Sequence, residues 1–244
     1  MIYVMSDIHG RYDKYREMLS LIRLQDSDTL YVLGDVIDRG DDGIKILQDM
    51  MFRPNVIPIL GNHEYMAVMT LDWMLKEVTE EGVEKVDEDV LRGLTEWMSV
   101  GGDATISALY ALSHEEREDI QEYLLEFALC DVVKAGGREF VLVHAGLDHF
   151  SPDRDLDDYD VSEMIFQRPD YTKVYFSDKY LVTGHVPTRL IYETTVSEFA
   201  EEVETVESRD RIFEKNNHIA IDCGAGFGGR LGCICLDTLE KFYT

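Results

Sequence analysis

Apolar residues in the first sixty positions fall in short runs, each closed by a glycine-bearing polar loop and followed by a segment of helical spacing. Ile2 to Met5, Thr29 to Leu33 and Val56 to Leu60 read as strands. After the first, Tyr12, Tyr15, Met18, Leu19 and Ile22 recur at the spacing of one helix face. After the second, Ile44, Leu47, Met50 and Met51 do the same. Strand, polar loop and helix in repetition predict an α/β sheet with parallel crossovers. From about Met66 to Leu129 the pattern is helical, broken by a glycine pair in Trp97-Met98-Ser99-Val100-Gly101-Gly102. Strands then return. Asp131 to Ala135 and Glu139 to Val143 form a predicted hairpin across Gly136-Gly137-Arg138. Leu181-Val182-Thr183, Asn217 to Asp222 and Leu231 to Leu236 follow, the last two around the glycine-rich turn Gly224 to Gly229.

Length narrows the picture to one domain, residues 1–244, carrying a mostly helical, acidic insertion at about 66–130. Lys and Arg number 23 against 49 Asp and Glu, a formal charge of −26. Such a field disfavours nucleic acid and anionic membranes as partners, though not a phosphate group held locally by metal ions. No apolar stretch is long enough for a membrane span, and the N-terminus lacks a basic leader, so a cytoplasmic location is expected. Seven acidic residues and one basic residue between Glu77 and Asp89 suit a solvated face, with a docking surface as the alternative. Cys233 and Cys235 share one face of a strand. Reduced, buried thiols are expected there and at Cys130 and Cys223; a metal site lacks a completing pair. The turn at 224–229 opens no helix and has no following Lys-Ser or Lys-Thr, so it is not expected to cradle phosphate.

Chemistry concentrates where strands end. Five strand ends deliver Asp7 and His9, then Asp35 and Asp38, Asn62 and His63, His144, and His185. Open α/β sheets place their sites at that edge. Imidazole with carboxylate or carboxamide, and no thiolate, suits Mn, Fe or Zn rather than calcium. Four of the seven histidines sit in such loops, whereas His114, His149 and His218 do not and read as surface or structural.

Asp7-x-His9, Gly34-Asp35-x-x-Asp38-Arg39-Gly40, Gly61-Asn62-His63-Glu64, His144-Ala145-Gly146 and Gly184-His185 together resemble the calcineurin-like metallophosphoesterase superfamily. More narrowly they resemble the bacterial and phage PPP-type serine/threonine protein phosphatases. Ile221-Asp222-Cys223-Gly224 with Gly228-Gly229-Arg230-Leu231 extends the likeness over nearly the whole chain. The resemblance implies a two-sheet β-sandwich flanked by helices, in four αββα layers. It implies two divalent metal ions, manganese first and iron or zinc otherwise. Asp7, His9 and Asp35 would hold one; Asp35, Asn62, His144 and His185 would hold the other. Two divalent ions against two ligand carboxylates leave about +2 at the centre, enough to attract a phosphate dianion.

The implied reaction removes phosphate from phosphoserine or phosphothreonine by attack of a dimetal-bound hydroxide. His63 would be the general acid and Asp38 its orienting carboxylate, or else a turn residue. Arg39, Asn62 and, more loosely, Arg168 would hold the phosphate; for Arg168 a plain surface arginine is the alternative. Glu64 reads as a supporting or helix-start residue. The substrate would be a phosphoprotein or a small phosphate ester. One departure stands out. Leu60 replaces the arginine that those phosphatases carry before Gly-Asn-His-Glu, and resembles instead the Leu-Gly-Asn-His-Asp of symmetrical diadenosine-tetraphosphate hydrolases. Glu64 and Asp38-Arg39-Gly40 keep the phosphatase pattern, so the phosphatase is the leading reading, the dinucleotide hydrolase the alternative, and a catalytically silent interaction module, which would be expected to have lost a ligand or the acid, the remote third.

Overall fold

A computed structural model describes residues 1–75, 88–195 and 209–244. Most of the acidic stretch from Glu77 to Asp89 lies outside the described residues.

The three predicted crossovers are present. Strand β1 (Ile2–Met5) leads to helix α1 (Tyr12–Ile22), β2 (Thr29–Leu33) to α2 (Gly43–Met51), and β3 (Val56–Ile59) to α3 (Asn62–Leu75). These strands pair in parallel, and β9 (Gly232–Cys235) and β10 (Lys241–Tyr243) add antiparallel at the far side, giving the order β10-β9-β1-β2-β3. The second sheet, β4-β5-β6-β8-β7, is built on the predicted hairpin β4 (Cys130–Ala135) and β5 (Arg138–Val143). Strands β6 (Tyr180–Thr183) and β8 (His218–Ala220) continue it in parallel, and β7 (Phe213–Lys215) closes it antiparallel to β8. Among the described residues the helical stretch supplies α4 (Glu88–Ser99), α5 (Asp103–Tyr110) and α6 (His114–Leu125); α7 (Val161–Ile165) and α8 (Thr188–Thr195) follow later.

Period-two alternation sorts each strand between two cores. Tyr3, Met5, Leu30, Val32, Cys233 and Cys235 face the helices, while Val4, Tyr31, Leu33 and Ile234 face the other sheet. Phe140, Leu142, Val182 and Ile219 meet them from the second sheet, and Val141, Val143 and Leu181 turn outward onto Met164 and Ile165 of α7. Strands buried on both faces must be apolar throughout, which is why the sequence shows runs instead of alternation. The result is two mixed sheets packed face to face with helices outside, the αββα arrangement expected. The paired cysteines are free thiols in the helix-facing core. No helix among the described residues is long and apolar enough to cross a membrane.

Candidate metal centre

The parallel strands β1, β2 and β3 of one sheet and β5 and β6 of the other end at one edge, and their loops interlock there. His9 N–H donates to Asp35 C=O (2.9 Å), Gly10 N–H to Val36 C=O (2.8 Å), and Gly40 N–H to His9 C=O (3.2 Å). A Cβ on Gly10 would collide with the Gly40 carbonyl, so this crossing needs glycine on both strands of chain. Asp7, His9, Asp35, Asp38, Arg39 and His185 all adopt positive φ, between 47° and 70°. Side chains other than glycine take that conformation at a cost of about 1–3 kcal/mol when held in strained regions, and such residues gather at functional sites. The buried Glu64 carboxylate binds the second loop in place, accepting from the N–H groups of Asp35 (2.7 Å), Val36 (2.8 Å) and Ile37 (3.2 Å), and from Gly61 at 3.2 Å.

Two groups of donors converge. His9, Asp35 and His63 place ligand atoms within 4.8 Å of one another, and so do Asp35, His144 and His185. Asn62 joins the second group, its Oδ1 lying 3.0 Å from His144 Nε2 and 2.9 Å from His185 Nδ1. His144 Nδ1 faces the Leu33 carbonyl at 2.6 Å and His9 Nδ1 the Ile37 carbonyl at 3.0 Å. Each ring therefore spends its proton on the backbone and leaves Nε2 unprotonated; Asp35 lies 3.5 Å from Nε2 of His144 and 3.6 Å from Nε2 of His9, which also accepts from the Arg39 guanidinium. Burial lowers the pKa of His9 and of His185 to about 3 and also lowers that of His144, which keeps these imidazoles neutral. Lone pairs facing a carboxylate and a carboxamide oxygen, with no proton between, form a donor set that a divalent cation fits. All four residues expected around the second ion are thus together. The Asp7 carboxylate takes the Ser6 hydroxyl and the His185 N–H; it is in neither close group, whereas His63 is in one.

His63 Nδ1 meets Asp38 Oδ2 at 2.5 Å. Asp38 is fully buried and takes two further donors, Trp97 Nε1–H (2.7 Å) and the Thr105 hydroxyl (2.5 Å); Thr105 Oγ1 also accepts the Asp38 N–H (2.9 Å). Burial works against a charged His63, but Asp35 and Asp38 outweigh it and raise its pKa. In front of His63 opens a cavity of about 440 Å³, walled by Arg39, Arg168, Arg189, Val100 and Phe227, among others. Arg39 reaches His9 Nε2 at 2.5 Å and His63 Nε2 at 3.2 Å and lies 4.3 Å from the centre of the Phe227 ring. Arg168 also lines the wall. Leu60 is not there; it packs half-buried against the helix-facing core.

The sequence reading missed Trp97, Thr105, Arg189 and Phe227. Two signals pointed near them: the glycine pair after Trp97, whose Gly101 carbonyl accepts the Arg39 N–H at 2.9 Å, and the glycine turn that carries Phe227. Of the histidines set aside, His114 and His149 are exposed, and His218 is buried, stacked on Tyr171 and bonded to Thr183.

The chain belongs to the calcineurin-like phosphoesterase family, whose model matches residues 1–222. A protein of Haemophilus ducreyi strain 35000HP, 27% identical over 185 residues, shares 73% of this chain and 57% of its own length. One from Wigglesworthia glossinidia brevipalpis is 33% identical over 100 residues, 39% of this chain and 36% of its own. Both are named symmetrical bis(5'-nucleosyl)-tetraphosphatases. The chain thus spans from about a third to somewhat over half the length of these curated relatives. Among solved structures, a candidate diadenosine tetraphosphatase superposes with TM-score 0.63 at 16% identity, covering 100% of this chain and 92% of that one. A cold-active protein-tyrosine phosphatase of Shewanella follows at 0.54 and 16%, covering 99% and 79%. At those identities the likeness is one of fold. The curated names are those of the dinucleotide hydrolases that Leu60 resembles, not of serine/threonine phosphatases.

Proposed function

We propose that this chain is a metal-dependent phosphoric ester hydrolase acting on dinucleoside polyphosphates. The observation that carries the substrate is the naming of its curated relatives as symmetrical tetraphosphatases. Leu60, half-buried against the core at the position where the protein phosphatases carry a cation, supports it. Asp7, His9, Asp35, Asn62, His144 and His185 would hold two divalent ions, which supply positive charge for the phosphoryl oxygens and a water nucleophilic at neutral pH. Arg39 and Arg168 present planar forks for phosphate oxygens, a geometry that binds them in pairs of hydrogen bonds. Asn62 turns its carbonyl to the two histidines, leaving its amide nitrogen for the substrate. Asp38 takes the Nδ1 proton of His63; Nε2, which here accepts from Arg39, is the nitrogen that would take up a second proton and pass it to the leaving oxygen.

That acid supports a second reading, hydrolysis of phosphoserine or phosphothreonine. An alkoxide needs a proton to leave, whereas a nucleotide phosphate, with a second pKa of about 6, departs with little help. A parallel turnover assay of Mn-loaded protein on diadenosine tetraphosphate and on a phosphothreonine peptide separates the two. Higher kcat/KM is expected on the dinucleotide. Higher kcat/KM on the peptide overturns the proposal in favour of the phosphatase, and turnover of neither points to another small phosphate ester.

A further inference from the structure

Arg168 lines two cavities. Beyond the one at the metal centre lies a second, of about 370 Å³, whose walls include Phe150, Lys173, Val174 and Tyr175. Arg168 is the wall they share, and the second cavity lies near the donor group: Leu147, on its wall, follows His144 by three residues, and Pro169, also on it, lies against Gly146. Each volume is within the range that holds a small-molecule unit.

Charge identifies what lies between them. In a chain of net charge −26, Arg16, Arg53, Arg92, Arg154 and Arg189 each have a carboxylate within 4 Å. Among the described residues, Arg39 and Arg168 have no ion pair, and both face the first cavity. Among the described residues Arg23, Arg117 and Arg138 have none either, so the pairing alone singles out nothing; what sets Arg39 and Arg168 apart is that they stand together on the cavity before the donor cluster, a place for an anion from outside the protein. A single phosphate would be served by the first cavity alone. Both ends are aromatic. Phe227 stands 56% exposed over the first, and Phe150, packed edge-on against Tyr175 at 5.2 Å, backs the second beside Lys173. Aromatic side chains are stacking platforms for nucleobases; Lys173 is paired with Asp170 at 3.7 Å, so the second cavity offers stacking surface and not free positive charge.

We propose that the cavities are two lobes of one groove, and that the second lobe holds the distal nucleoside of a two-ended polyphosphate ligand whose chain crosses Arg39 and Arg168. The proposal rests on the dinucleoside polyphosphate reading and adds the subsite that distinguishes a dinucleotide from a mononucleotide.

Val174→Trp tests it. Val174 is 56% exposed and on the lobe wall, so a larger side chain fills the lobe without entering the core. Calorimetry on metal-loaded protein would use two probes: diadenosine tetraphosphate with a methylene in its central bridge, which resists cleavage, and ADP. Wild-type protein is expected to bind the two-ended probe about tenfold tighter than ADP, the order of one added base stack. V174W is expected to lose that advantage with ADP affinity unchanged within about twofold and an unaltered Tm. Equal wild-type affinity for both probes overturns the lobe, as does a variant that weakens both equally or neither. The two failures separate cleanly. Tight, Val174-sensitive binding without hydrolysis of diadenosine tetraphosphate sinks the activity and keeps the lobe. Hydrolysis with Val174-insensitive binding sinks the lobe and keeps the activity.

Discussion

Six residues at the centre, from Asp7 to His185, share an unusual backbone: φ is positive although none is glycine. The strain is offset by what the turns achieve, which is to aim side chains back across the strand ends. Glu64 and the glycines at 10 and 40 hold the loops in that shape. His63 is the residue whose chemistry is most open to test. If it protonates the leaving group, His63→Asn should cost about 10²–10⁴-fold in kcat on an alkyl phosphate ester and far less on p-nitrophenyl phosphate, whose leaving group needs no proton. An equal loss on both would show that His63 serves the donor cluster and not proton transfer, consistent with its place within 4.8 Å of His9 and Asp35. At this scale the sequence was readable because each chemical residue directly follows an apolar strand. The contrast between Asp7 and His63 was not readable. It depends on the Ser6 hydroxyl and the His185 N–H occupying the Asp7 carboxylate, and the second of these is 178 residues distant.

At the scale of elements, the helical stretch acquires a purpose that its periodicity did not reveal. Trp97 from α4 and Thr105 from α5 both donate to Asp38, across 59 and 67 residues. The turn between these helices accepts the Arg39 N–H through Gly101. The helices thereby fix the carboxylate that fixes His63. Thr105→Val removes one donor and also the acceptor for the Asp38 N–H. It should lower kcat about 10–100-fold, the usual cost of losing such a supporting partner, with metal content and KM nearly unchanged. Trp97→Phe should give a similar loss. A fall in metal content in either variant would mean that the helices support the donor cluster as a whole and not the acid alone. Helical spacing shows which face is apolar; it does not show which distant carboxylate an indole nitrogen will reach. The glycine pair was the visible trace, since a Cβ on Gly102 would collide with the Trp97 ring and one on Gly101 with Arg39.

At the scale of the molecule, the centre is a joint between sheets. Asp7, His9 and Asp35 come from loops of the first sheet and Asn62 from the start of α3 that follows its third strand, and His144 and His185 from strand ends of the second. Buried apolar runs announced the strands, but strand order lies outside any local pattern: β9 returns beside β1 from the far end of the chain, pairing Val4 with Ile234. A cation held by donors from both sheets ties them together, and its binding free energy adds to the stability of the folded state alone. At a free concentration of about 1,000 times Kd the contribution is about 4 kcal/mol. For a protein of this size, with Tm moving about 2–4 °C per kcal/mol, chelation should lower Tm by about 8–16 °C. Asp35→Asn takes the charge from the carboxylate common to both donor groups, so its Tm should be the same with and without chelator. A wild-type Tm indifferent to chelator, in protein shown by elemental analysis to have carried metal, would mean that the ions sit elsewhere and that these lone pairs converge for another reason.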